Sequence, residues 1–295
     1  MLNNILALKK LLLQSAEGKD IKIEAFMSIL EDSCSDFDLT VLSKSTDREI
    51  RYLHAVLLST FFELTEYSLQ NWEQYFIHFE EISKILKVKK KGTEGNILEL
   101  LVLHTINHVF NLNSKKHRVK AYIPNSDSNP THLLDDSFNP NILNSEDNER
   151  LINNLTVKMK IRGEKPEEIW GDNDVVVCVE DKSSIQQFCI ISCKVSLRER
   201  VYQSLFWSLH SRLEGTGRHV FITIDKGNSG ISEIGSRVPG KNVRKTRNVL
   251  ESTMDRVYVF REQDEVSRSP VIKDFENLKW DLKNWSKDFT GTTKP

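Results

Sequence analysis

One stretch constrains this chain more than any other: Gly171 to Arg200, GDNDVVVCVEDKSSIQQFCIISCKVSLRER. Val175–Val179 and Phe188–Ile191 read as two apolar strands joined by a polar turn, with a helix following at once. Asp174 opens the first strand. The second ends in Ser192-Cys193-Lys194, and because strand side chains alternate, Ser192 and Lys194 share a face. An acid and a lysine on neighbouring strand ends can hold a divalent metal beside a water, which phosphodiester hydrolysis needs. The expected chemistry is therefore that of a metal-dependent nuclease.

The rest of the chain gives this hairpin a setting. Residues 1–90 carry helical periodicity and no strand signal, so they are expected to form an all-helical accessory region. Thr46-Asp47-Arg48-Glu49 is a capping-box pattern opening a long helix, and Trp72–Leu86 is read as another. Lys84, Lys87, Lys89, Lys90 and Lys91 follow; compensation of the helix dipole competes there with a DNA contact. Thr93–Phe110 is a strongly apolar helix with Glu99 inside it, either on a solvated edge or turned inward for chemistry. His104 and His108, at i and i+4, are read as helix-surface histidines, because the metalloprotease pattern needs a Glu where Thr105 stands. Residues 123–150 read as a long polar loop. After a strand at Leu155–Ile161 and the central hairpin come a helix at Ser196–Arg212, a buried strand at His219–Ile224 and a loop at Asp225–Gly240. A helix at Lys241–Leu250, an edge strand at Arg256–Phe260 and a final amphipathic helix complete the chain. The expected fold is α/β, a mixed central sheet flanked by helices, with residues 91–295 forming the sheet domain.

Composition narrows the function. A formal net charge of −1 argues against binding through bulk positive charge, yet allows local basic patches. Cys34, Cys178, Cys189 and Cys193 form no Cys-x2-Cys pair, and three lie on apolar strands, so neither zinc nor a disulfide framework is expected. The N-terminus is read as a helix rather than a signal peptide, and no segment reaches the roughly 18 apolar residues of a membrane span. A cytoplasmic protein is expected.

A literal Glu180-x-Lys182 is set aside, because it lies in the hairpin turn only six residues beyond Asp174. Ser192-x-Lys194, one hairpin later, is correctly placed. A lysine ending a buried strand either emerges into solvent or has a partner, and its company with Asp174 favours catalysis. Asp174, the strand after it, and Phe188–Lys194 running into Val195-Ser196-Leu197-Arg198-Glu199-Arg200 resemble type II restriction endonucleases of the PD-(D/E)xK superfamily. The resemblance covers about residues 90–262, and the Glu99 helix matches an element many members carry. The helical lead before the core resembles the BsaWI type. Asn173 stands where the motif has proline, and Ser192 replaces its second acid. Members that read CCGG-containing sites have Ser or Thr there and take an acid from a later helix, but Leu209 and His210 stand at that place here.

The resemblance implies Mg²⁺ held by Asp174, a backbone carbonyl near Cys193 and a second acid, with Lys194 orienting or deprotonating the attacking water. Glu99 and Glu199 compete for the second acid. Glu199 is already accounted for by a capping box with Ser196, so the reading leans to Glu99. Double-stranded DNA and a homodimer, matched to a palindrome, are the implied partners. Arg198 and Arg200 are candidates for phosphate contacts. Arg237, Lys241, Arg244, Lys245 and Arg247 form an acid-free basic run, either a DNA contact or a solvated helix face. Neither Asp174 nor Lys194 belongs to the apolar pattern, so replacing them is expected to spare folding. A repair or structure-specific nuclease, or a non-catalytic DNA-binding protein on the same fold, is the alternative.

Overall fold

The computed structural model describes residues 2–18, 21–114, 117–125, 129–159, 167–181, 184–197, 206–208, 217–227, 231–236, 244–261 and 269–288. The chain divides into two compact units, Met1–Thr105 and Ile106–Pro295. The first begins with α1 (Leu2–Ser15), α2 (Ile23–Ser35), α3 (Thr40–Ser43) and α4 (Asp47–Leu64). It continues with α5 (Leu69–Ile77), α6 (Phe79–Ile85) and α7 (Glu94–His104). The single helix expected over Trp72–Leu86 is thus interrupted at His78.

Helix α4 is the axis of this unit. The run Tyr52–Phe62 is buried without interruption, so the helix is covered on every side, as a hydrophobic-all-round helix must be. The expected capping box is formed: the Thr46 side chain accepts from Glu49 N, and Thr46 N donates to Glu49 Oε2 at 2.7 Å. His104 is fully buried and not on a helix surface; Tyr52 Oη lies 2.9 Å from its Nδ1 and Lys9 Nζ 3.2 Å from its Nε2. That polar network suits a histidine enclosed by α1, α4 and α7. Helix α7 lies in the first unit, which ends at Thr105, where the π-helical turn Thr105–Val109 begins.

The second unit is built on a seven-stranded sheet of order β2-β1-β5-β6-β7-β8-β9. The strands are β1 (Arg118–Pro124), β2 (Leu133–Leu134), β5 (Val175–Glu180), β6 (Ile185–Lys194), β7 (Arg218–Thr223), β8 (Arg256–Val259) and β9 (Ile272–Asp274). Pairing is antiparallel from β2 to β6 and parallel from β6 to β9, so the sheet is mixed as expected. A separate two-stranded ladder joins β3 (Thr156–Met159) and β4 (Glu167–Trp170). Register places Ile190 beside His219, Ser192 beside Phe221 and Phe221 beside Val257, hence on one face. Helices α8 (Ser145–Leu155) and α9 (Lys245–Thr253) contribute Leu151, Leu155 and Leu250 to the cores on that face. Helix α10 (Asn277–Asp288) covers the other face, where Asp281 accepts from Tyr258 Oη at 2.8 Å.

Two expectations change here. Strand β8 is interior, because β9 pairs with it in parallel and takes the edge. The stretch 123–150 is not all loop; β2 lies within it, and α8 starts inside it behind the N-cap Asn144.

Candidate active site

The β5–β6 hairpin sets the geometry. Val175 pairs with Ile191, which brings Asp174 opposite Ser192, and Asp174 N donates to Ile191 O at 3.1 Å. The Asp174 carboxylate turns back onto β6, where its Oδ2 accepts from Cys193 N at 2.7 Å and from Lys194 Nζ at 2.7 Å. The expected acid–lysine pair is therefore formed, and Lys194 does not emerge into solvent; its side chain is 11% exposed.

Sequence reasoning missed a second carboxylate. Asp172 Oδ1 accepts from Lys194 Nζ at 2.6 Å, and its side chain is 8% exposed against 19% for Asp174. Gly171-Asp172-Asn173-Asp174 is a bend and not extended strand, so strand alternation could not place Asp172. A tight turn brings Asp172 in: Asn173 N donates to Gly171 O at 2.9 Å, and Asn173 Nδ2 to Leu155 O, the end of α8, at 3.0 Å. Asn173, at the motif's proline position, thus anchors the turn through its own side chain. Gly171 suits the bend, because a Cβ there would stand 3.1 Å from Asn173 Nδ2.

Ser192 supports this turn from below. It is fully buried, its hydroxyl donates to the Asp172 carbonyl at 2.6 Å, and His219 Nε2 lies 2.8 Å away. Expected among the catalytic groups, Ser192 is fully buried, with its hydroxyl bonded to the backbone of the turn. Glu180 ends β5 and accepts from Tyr122 Oη, while Asp181 closes the turn with its Oδ1 accepting from Ser184 N at 2.8 Å, so the literal Glu-x-Lys is set apart from the site.

Two carboxylates and one ammonium leave the cluster one negative charge in excess. Burial penalises the charged lysine, yet Asp174 and Asp172 together raise Lys194 above its ordinary value and keep it protonated. Burial, reinforced by Asp172, pushes the Asp174 carboxyl upward against the pull of Lys194. An excess negative charge presented by carboxylate oxygens fits a hard divalent cation such as Mg²⁺ and offers nothing to favour zinc. Among the described residues no group of three or more His, Cys, Asp or Glu is arranged to hold a metal. At Cys193 the backbone amide donates to Asp174.

Of the other expected site residues, some are described and some are not. Glu99 lies on α7 in the helical unit and is half-buried. Arg198, Glu199, Arg200, Arg237 and Lys241 lie outside the described residues. Arg244 and Lys245 are exposed at the start of α9. Arg247 is not available to a phosphate: it is 0% exposed, with Nε donating to Glu251 Oε1 at 2.9 Å and Nη1 to Gly235 O at 3.2 Å.

Comparison with known proteins returns matches over the segment that carries this cluster. Residues 149–281, under half the chain but including the whole acid–lysine cluster, match the family model of the BsaWI restriction endonuclease, type 2. A protein named as a type II restriction enzyme, MjaVIP of Methanocaldococcus jannaschii, is 32% identical over 97 residues. Those residues are 32% of this chain and 41% of the relative, so the chain spans less than half of that protein. The segment bearing the site is thus related to type II restriction endonucleases. Among solved structures, the BsaWI–DNA pre-specific complex is 14% identical at a TM-score of 0.36, covering 98% of this chain and 93% of that one. The PspGI–substrate DNA complex is likewise 14% identical at 0.36, covering 97% and 89%. Likeness that loose leaves the fold to be read from strand order and register. Among the described residues no helix is long and apolar enough to cross a membrane.

Proposed function

We propose that the protein is a type II restriction endonuclease, hydrolysing phosphodiesters of double-stranded DNA at a specific sequence with Mg²⁺ as cofactor. The observation that carries this reading is Lys194 Nζ held 2.6 and 2.7 Å from Asp172 and Asp174 at the ends of adjacent strands. The family match over the same segment supports it. Asp172 and Asp174 would hold the cation, which supplies a Lewis acid for the phosphate and a more acidic bound water. Lys194 contributes a fixed positive charge where negative charge develops on the phosphate. Glu99 and Glu199 remain the candidates for a further acid.

Cutting both strands of a palindrome calls for two sites related by a twofold axis, so the working unit is a homodimer. Ser192 at the second-acid position supports a CCGG-containing site. A cytoplasmic enzyme that meets DNA directly accords with this reading.

Incubation of the purified chain with plasmid DNA, followed by mapping of the ends, tests the reading. Discrete fragments with common ends are expected in Mg²⁺, with binding but no cutting in Ca²⁺. Cutting confined to branched DNA would move the protein to the structure-specific nucleases, and full activity in excess chelator would remove the metal.

A further inference from the structure

Beyond the acids and lysine, one carboxylate reaches the chain as it leaves the site. Glu233 lies on the loop after β7, and its Oε2 accepts from Leu197 N at 2.5 Å, three residues past Lys194. The same loop touches that segment again, with Lys226 N donating to Val195 O at 3.2 Å. Leu197 is fully buried in the core it shares with Phe221, Ile234 and Val257.

The described part of the loop is held from several sides. Asp225, with a φ of 55° and 1% exposure, accepts from Glu233 N at 2.7 Å and Ile234 N at 3.1 Å through Oδ1. Its Oδ2 accepts from Ser232 Oγ and pairs with Arg261 Nε at 3.2 Å. Arg247 holds the Gly235 carbonyl from α9. Gly227 lets the chain double back, since a Cβ there would stand 2.1 Å from Ile231 O. A side chain this firmly presented is aimed and does not wander.

We propose that Glu233 is a positioning residue for Lys194: the loop built on Asp225 presents its carboxylate to Leu197 N, fixing the strand exit on which the lysine ammonium depends. A backbone amide bonded to a carboxylate is a strong contact for holding a main chain in place. Displacing the reacting group by about 1 Å can cost up to roughly a hundredfold in rate.

The inference rests on the nuclease reading and is tested with the full chain on a mapped DNA site, following single-turnover cleavage, DNA affinity in Ca²⁺ and melting temperature. Glu233→Ala is expected to slow cleavage by at least roughly tenfold, with DNA affinity within about twofold of wild type. Glu233→Gln should recover most of the rate, because its amide oxygen still accepts from Leu197 N. Where Glu233→Ala does not fold, Glu233→Asp, one methylene short of the amide, should show the same loss. Wild-type rates in these shortened variants would overturn the proposal. So would a Glu233→Gln enzyme as slow as Glu233→Ala, which would make the charge, not the bond to Leu197, the requirement. A wild-type chain that cuts no DNA would instead refute the nuclease reading itself.

Discussion

Lys194 holds its position because two carboxylates hold its charge, and the same fact ties activity to folding. Removing the lysine leaves Asp172 and Asp174 facing each other, largely buried, without a counter-charge. Lys194→Ala should therefore cost at least roughly a hundredfold in cleavage and, contrary to the sequence expectation that folding is spared, about 3 kcal/mol of stability. Mg²⁺ should return part of that loss by supplying the missing charge, seen as a larger rise in melting temperature than wild type shows; no rise would mean the carboxylates do not bind it. A second buried group sets an acid limit. His54, fully buried between Tyr75 Oη at 2.9 Å and Ser83 Oγ at 3.2 Å, is pushed down by burial to about 3. Its folded value lies below the unfolded one, so its contribution is complete above about 6.5 and is lost as pH falls towards 3. Melting temperature against pH should fall across that window, and His54→Asn should flatten the curve there; an unchanged slope would contradict the assignment.

At the scale of elements, basic residues close together in sequence take opposite roles because α9 is amphipathic. Arg244 and Lys245 face solvent while Arg247 lies in the core. Arg244→Ala and Lys245→Ala should each weaken DNA binding and reduce the salt slope by about one counterion. Arg247→Ala should lower melting temperature instead, and an Arg247→Ala protein of normal stability with a reduced salt slope would reverse the distinction. Sequence could not separate these residues, because a basic run fixes a helix's charge but not its rotation about the axis. The hairpin was legible because two apolar runs separated by a short polar turn pair as neighbours, and the register they take delivers Asp174 to Lys194. Asp172 was hidden because its approach depends on a turn tied by Asn173 to the end of α8, a contact distant in sequence. Strand β9, only three residues long, is too short to leave a periodic trace, so β8 looked like the edge. His104 passed for a surface residue because its partners Lys9 and Tyr52 come from other helices.

For the whole molecule, a helical unit of residues 1–105 accompanies a sheet unit that carries the acids, the lysine and the loop behind them. The homodimer reading predicts that sedimentation finds two chains per particle at the concentrations where DNA is cut, and that both strands are cut in one encounter. A monomer that nicks each strand independently would contradict it. The central claim is that Asp172, Asp174 and Lys194 form one cation-dependent cleavage centre. Its most direct test is the single-turnover cleavage rate of a mapped plasmid site across an Mg²⁺ series, for wild type, Asp172→Asn and Asp174→Asn. The account predicts saturable Mg²⁺ dependence in wild type and, at every concentration, a rate at least roughly a hundredfold lower in both variants. Wild-type cleavage by either variant, or Mg²⁺-independent cleavage by the unaltered chain, would contradict it.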